Sequence, residues 1–533
     1  MRKVQIDAQA SEVERNAARL LAAEVESRTG IDLPVTDQQT DEPAVSLQID
    51  GGLGTNEEGF AIASSDNGLT ISARQPAGLI FGVGRLLRES TFGRGVWEPP
   101  DTQIRDEPRF AVRNIYFAGH MGNWYEHASV TELQEYLDQM ALWGYNELTT
   151  VLNVPAGQTF EDAWNRLTTL ENHARGLGMR ISRLAQSNTS YTPPPAEFRA
   201  EAGPIPGPWD VCPTRQPSAR EFLVEDKRAV FERMQPFDSM ILWPYDGGGC
   251  YCDQCAPWAK TFLHLSREIA VHAVGDKGEV RVSAWFFERD VPGEDDALFD
   301  YLSGNPDWFR HIVAGSVEAR RWKRDGRVLP SPYRVLLFPE ISMFDGIPWG
   351  GRGANPAPRK FAAEVDDLAE LLDGGIVYSE GRYEDVNKIL CGQKLWDPAR
   401  DPGEIMRDYC RFYFGAQAEQ KGADLLFDIE QCMDGLQDPE RWRRGKFCPD
   451  LDEIAVELEG VLAGEVRESW RWKMLRAKTK LEALYYRSRE DQLDGESDLR
   501  RTYENLQAEL NLHDSRSLAT WFYAPLEEAF PPS

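Results

Sequence analysis

The chain has 533 residues, too many for one ordinary core, so two to four domains are expected. It is 41% hydrophobic and 11% aromatic, which marks a folded rather than a disordered protein. A formal net charge of −28 argues against nucleic acid and anionic membrane surfaces as partners, because both require a basic footprint.

Residues 1–105 read as a small α+β domain. Apolar positions recur at helical spacing over 13–28 and are broken by Gly30 and Pro34. Alternation of apolar and polar residues predicts strands at 44–49, 58–62 and 68–73, the last two joined by the turn Asp66-Asn67-Gly68. A second helix is predicted over 77–88. The start of the chain, MRKVQIDAQASEVERNAARLL, lacks the apolar core of a secretory signal. No run approaches the roughly 18 apolar residues of a membrane span. A cytoplasmic protein is expected, with secretion or periplasmic export open if a signal has been trimmed.

The stretch EGFAIASSDNGLTISARQPAGLIFGVGRLLRE, two strands, a turn and a Gly-x-x-x-Gly helix, resembles the N-terminal domain that precedes the barrel in family 20 hexosaminidases and family 67 α-glucuronidases. The resemblance implies an exo-acting glycoside hydrolase type of layout without naming the sugar.

From 106 to 400 strand and helix alternate, as in a parallel barrel. Strands are predicted at 113–117, 147–152, 179–185, 240–244, 280–287, 334–338 and 375–378, with an eighth expected in the irregular stretch 304–333. Helices are predicted at 131–143, 164–177, 220–234, 256–274 and 362–372. From 401 to 533 the pattern turns helical, at 405–414, 418–433, 451–462, 465–490 and 499–512. The fold expected is α/β: a (β/α)8 TIM-type barrel between an N-terminal α+β domain and a C-terminal helical domain, the last a buttress and a candidate homodimer face.

Barrel chemistry sits at the C-terminal ends of the strands. Four acids are predicted there: Asp246, Glu288, Glu340 and Glu380. Glycoside hydrolysis needs two carboxyl groups, a proton donor and a nucleophile or base. The apolar neighbours of Glu288 (Trp285-Phe286-Phe287) and Glu340 (Leu337-Phe338-Pro339) suit a raised pKa and hence the donor. Asp246 and Glu380 have more polar neighbours and suit the ionised partner. Around the mouth, Tyr116, Trp124, Tyr245, Trp285 and Trp349 are candidates to stack on a sugar. His120, Asn153, Asn188 and Arg382 are candidates to bond its hydroxyls or charges. Each of these can equally serve the structure alone, and the loop 378–388 can equally lock the barrel to the helices through Arg382 and Lys388.

Three cysteines are bunched at 250, 252 and 255, and Cys212 follows the preceding strand. Neighbouring loops can bring Cys212, Cys250, Cys252 and Cys255 together as a closed, structural zinc site; free or disulfide-linked thiols are the alternative. Cys391, Cys410, Cys432 and Cys448 read as core residues. No organic cofactor is expected. Cys212-Pro213 paired with Asp-Gly-Gly-Gly-Cys-x-Cys-x-x-Cys resembles a group of barrel proteins around glycoside hydrolase family 163, endo-acting N-acetylglucosaminidases. The adjacent Asp-Glu pair that marks family 20 after the fourth strand is absent, since Tyr245-Asp246-Gly247 stands there.

The function expected is a two-carboxylate glycosidase acting on a glycan that contains N-acetylhexosamine or uronic acid. The alternatives are a non-catalytic carbohydrate-binding barrel, and a lyase or metal-assisted hydrolase of acidic sugars using the His120/His127 pair with Asp246.

Overall fold

A computed structural model describes residues 1–38, 42–66, 68–119, 123–152, 159–200, 207, 209–245, 248–341, 356–433 and 450–489. The N-terminal domain is a six-stranded sheet in the order Val35–Thr36, Val4–Gln5, Ala44–Ile49, Gly68–Ala73, Phe60–Ser65, Gln103–Asp106. Two helices cover it, Glu12–Thr29 and Pro76–Glu89. Ser11 and Glu14 close the first as a capping box, and Gly30 ends it at φ 74°, a left-handed conformation that favours glycine.

The glycines of the second helix are where close approach demands them. A Cβ at Gly82 would fall 2.5 Å from Ile71 Cγ2, in the sheet beneath. A Cβ at Gly84 would fall 1.9 Å from the Leu142 carbonyl, at the end of the first barrel helix. The same helix therefore seats on its own sheet and on the barrel, and Arg88 donates to the Leu142 carbonyl beside that contact.

Eight parallel strands close the barrel: Val112–Phe117, Glu147–Val151, Arg180–Gln186, Ser239–Trp243, Glu279–Ser283, His311–Gly315, Arg334–Phe338 and Leu372–Ser379. They are named first to eighth below. The first, fourth and sixth are buried along their whole length, and the fourth accordingly reads as an apolar run rather than alternation. The sixth lies in the stretch where an eighth strand was expected. The fifth ends at Ser283, four residues before the predicted end, because Phe286 (φ 67°) and Glu288 (φ 60°) leave extended geometry.

The barrel interior holds a buried ion pair. Arg281 of the fifth strand donates to both oxygens of Glu147 on the second, and Asn114 of the first donates to the same carboxylate. Burial alone would raise the Glu147 pKa, but Arg281, Arg180 and Asn114 hold it at about 2.

The helix after the eighth strand, Asp385–Trp396, is buried throughout and was not predicted. Helices Pro402–Phe414, Glu419–Met433 and Leu451–Glu459 follow. The predicted helix 465–490 is two pieces, Gly464–Arg467 and Trp470–Arg489; the predicted helix 499–512 lies outside the described residues. Arg471 binds Asp385 through two hydrogen bonds, at 2.6 and 3.2 Å, and so pins the last described helix to the barrel. No helix among the described residues is long and apolar enough to cross a membrane.

Candidate active site

The C-terminal mouth of the barrel is floored by aromatic rings. Tyr116 and Tyr378 lie 5.8 Å apart between centroids, Tyr378 and Phe338 5.6 Å, Phe338 and Trp243 5.0 Å, and Trp243 and Trp285 5.5 Å. The belt runs from the first strand through the eighth and seventh to the fourth and the loop after the fifth. Each ring sits at or just beyond the end of its strand, so parallel pairing alone gathers them at one mouth. All five rings are buried; aromatic faces of this kind are surfaces on which the C–H side of a ring-shaped ligand packs.

Glu340 stands two residues beyond the seventh strand, half-buried, and accepts the indole N–H of Trp285. Burial pushes its carboxyl up to about 7. The Trp285 bond opposes that rise, and the carboxylates of Glu318 and Glu364 add to it. Phe286 stacks on Trp285 with centroids 3.4 Å apart and holds the left-handed φ noted above. That conformation costs a bulky residue about 1–2 kcal/mol. It is held in place by Glu318, whose carboxylate accepts the Phe286 amide at 3.2 Å.

Glu380, one residue past the eighth strand, is buried. Its carboxylate accepts the Tyr378 hydroxyl at 2.7 Å, and its amide donates to Glu384 at 3.0 Å. Glu340 forms an isolated parallel bridge with Tyr378. The two acids therefore rise from adjacent strand ends. Lys388, fully buried on the following helix, donates to Tyr125 at 3.0 Å and to the Gly381 carbonyl. Burial pulls its pKa down to about 7, against the pull of Glu384 and Asp385 in the other direction. Arg382 lies between two indoles, 5.5 Å from Trp124 and 5.1 Å from Trp470. Trp124 itself is buried against Tyr125 and Tyr136, and His127 is exposed.

Glu288 and Tyr245 bond to the start of helix Glu294–Ser303. Glu288 is five residues past the fifth strand and accepts the Asp295 amide at 2.9 Å, capping the start of helix Glu294–Ser303. Tyr245 is buried and gives its hydroxyl to Glu294. Burial raises Glu294 to about 7, opposed by that hydroxyl and by the amides of Glu288 and Ala259. Asn188 is fully buried and links the Val211 and Gly249 backbones rather than opening to the mouth. Asp246, His120, Asn153 and Trp349 lie outside the described residues.

Cys212, Cys250, Cys252 and Cys255 converge, with all four sulfurs within 4.8 Å of one another. Cys212 Sγ is 3.7 Å from that of Cys252 and 3.8 Å from that of Cys255. A tetrahedron with zinc–sulfur bonds of about 2.3 Å has edges of about 3.8 Å, so the thiols fit such an ion. Three of the four are buried. Elsewhere, Cys391 and Cys410 are buried free thiols, as expected of core residues, whereas Cys432 is in a disulfide. Cys448 lies outside the described residues.

Sequence reasoning missed Glu318, Phe338 and Tyr378 as parts of the mouth. Glu318 follows the sixth strand at the third position, where an acid would have been sought had His311-Ile312-Val313-Ala314-Gly315 been assigned as a strand.

Residues 1–107 match the family described as Glycosyl hydrolase family 20, domain 2, the type of domain that the strand-turn-strand-helix stretch resembles. Among solved structures, a GH138 enzyme targeting pectin rhamnogalacturonan II aligns with 99% of this chain and 91% of its own, at 12% identity and a TM-score of 0.59. The GH20 β-N-acetylhexosaminidase of Streptomyces coelicolor A3(2) aligns with 81% of this chain and 92% of its own, at 16% identity and a TM-score of 0.53. The Streptomyces plicatus N-acetyl-β-hexosaminidase aligns with 79% and 92%, at 17% identity and a TM-score of 0.55. At these identities the likeness is one of fold: a (β/α)8 barrel carrying an N-terminal α+β domain.

Proposed function

We propose that this chain hydrolyses glycosidic bonds at the barrel mouth, with Glu340 as proton donor and Glu380 or Asp246 as the ionised partner. The observation that carries the reading is the Glu340 carboxyl. It is raised to about 7 by burial and sits at a strand end beside the aromatic floor. A carboxyl in that state is protonated near neutral pH and can protonate the leaving oxygen as the glycosidic bond breaks. Glu380 stands at the adjacent strand end and accepts the Tyr378 hydroxyl. It can meet the positive charge developing at the sugar's anomeric carbon, either directly or through a water. Asp246 follows the fourth strand by three positions in the sequence and stays in the same role. Proteins of this fold include a GH138 enzyme and GH20 hexosaminidases, which supports glycans containing uronic acid or N-acetylhexosamine as the first substrates to try. The test is a panel of aryl glycosides and glycans offered to wild type, Glu340→Gln, Glu380→Gln and Asp246→Ala. Release of one sugar by wild type, lost in Glu340→Gln, is expected. Silence of wild type on every substrate, with sugar still bound, would replace this reading with a carbohydrate-binding barrel.

The thiol cluster is proposed to hold one structural zinc through Cys212, Cys250, Cys252 and Cys255. Four thiolates close the coordination shell, so the ion would fix two loops and leave no position for substrate. Metal analysis should find one zinc per chain, lost on replacing Cys212 and Cys255 by Ser.

A further inference from the structure

We propose that Glu318 is a positioning residue that fixes where the Glu340 carboxyl sits and keeps it in its proton-carrying form. The inference rests on the reading of Glu340 as proton donor, and deepens it. Two separate features point the same way. The first is a chain of contacts. Glu318 accepts the Phe286 amide, Phe286 in its left-handed conformation stacks on Trp285, and the Trp285 indole donates to Glu340. Glu318 is thus connected to Glu340 through the Trp285 ring that bonds to it. The space behind is closed: a Cβ at Gly315 would fall 2.5 Å from Glu318 Oε2 and 3.9 Å from Trp285 Cδ1, so the carboxylate packs against the strand end that Trp285 also touches.

The second is charge. Around Glu340 the described residues place Glu318 and Glu364, both buried, and Lys360, which pairs with Glu364 at 3.0 Å. Around Glu318 they place Arg321 and Asp295, which are bonded to each other at 2.7 Å. Arg321 and Lys360 therefore each have an acid of their own. Burial raises both Glu318 and Glu340, and whichever carboxyl ionises first makes ionisation of the other harder.

The Trp285 indole N–H reports directly on the carboxyl it meets, so the test needs no turnover. The indole resonance, assigned by its loss in Trp285→Phe, is followed through a pH titration of the full chain. Wild type is expected to show two inflections, because interacting carboxyls titrate in two steps. Glu318→Gln keeps an acceptor for the Phe286 amide and removes the charge. It should lower the upper midpoint by about one unit and move the basic limb of the activity profile by the same amount. Glu318→Ala removes the acceptor as well and should broaden or shift the indole resonance at every pH. A single inflection in wild type, or an unmoved midpoint in Glu318→Gln, overturns the proposal. An indole midpoint that moves in a protein without glycosidase activity would instead sink the functional reading and leave the Glu318–Glu340 coupling standing.

Discussion

Asn188 and Gly249 hold each other through two hydrogen bonds: the Gly249 amide donates to Asn188 Oδ1 at 2.7 Å, and Asn188 Nδ2 donates to the Gly249 carbonyl at 3.1 Å. The same Nδ2 also reaches the Val211 carbonyl at 3.1 Å. One amide thus ties the loop of Cys250 to the segment of Cys212, and Gly249 at φ 95° permits the turn. Asn188→Ala should lower stability by about 1–3 kcal/mol, the cost of leaving buried backbone groups unpaired. It should also speed metal transfer to a chromophoric chelator. Melting curves and chelator kinetics measure the two effects.

The raised carboxyl of Glu340 sets the expected pH dependence of activity. A donor must carry its proton, so turnover should be full below about 7 and fall as pH rises through that value. Glu340→Gln should remove this limb and reduce kcat/KM by roughly 100- to 10,000-fold on poor leaving groups. Aryl glycosides with acidic leaving groups need less protonation and should lose less. A profile whose basic limb survives in Glu340→Gln assigns the donor role to another group.

Inside the barrel, Glu147→Gln should destabilise the fold by about 3–5 kcal/mol, because it strands the buried Arg281 charge. Arg281→Met added to it should recover much of that loss. The folded pKa of Glu147, about 2, lies below its ordinary 4.5. Its contribution is therefore complete above about 4.5 and disappears as pH falls toward 2. In urea titrations at pH 7 and pH 3, the gap between wild type and Glu147→Gln should be smaller at the lower pH.

Arg471→Met should loosen the C-terminal helix from the barrel. Asp385 would keep the Tyr136 and Tyr409 hydroxyls, at 2.9 and 3.0 Å, and the neighbouring Lys388 charge, but lose the guanidinium bonded to it. A cost of about 3–5 kcal/mol is expected for breaking this buried pair. Hydrogen exchange should quicken first over Trp470–Arg489, before the barrel strands respond.

The barrel was legible because its strands are short apolar runs flanked by amphipathic helices, and seven of them stand out. The sixth did not, since His311 begins it and the glycine and polar residues on either side blur its ends. Its loss concealed Glu318. The strand-end position of Glu340 was legible from the apolar run that precedes it. Glu288 follows such a run too, yet it caps a helix, because where a loop turns its acid depends on backbone conformation at Phe286 and Glu288 that no periodicity encodes. The cysteines were legible because three lie within six residues and the fourth on the neighbouring loop. The helix Asp385–Trp396 escaped notice because it is buried on every side and has no polar stripe.

Closure of the barrel joins residues made far apart in time. The first strand pairs with the eighth from Val112↔Gly374 to Phe117↔Ser379. About 260 residues separate the partners, roughly 13–50 s of synthesis at 5–20 residues per second. Through that interval the edge of Val112–Phe117 that the eighth strand will occupy has no partner in the sheet. Such an edge is a template for wrong pairing. The N-terminal domain is already complete by then and its helix Pro76–Glu89 meets the barrel beside Leu142, next to the second strand. It can steady the growing sheet but leaves the waiting edge bare.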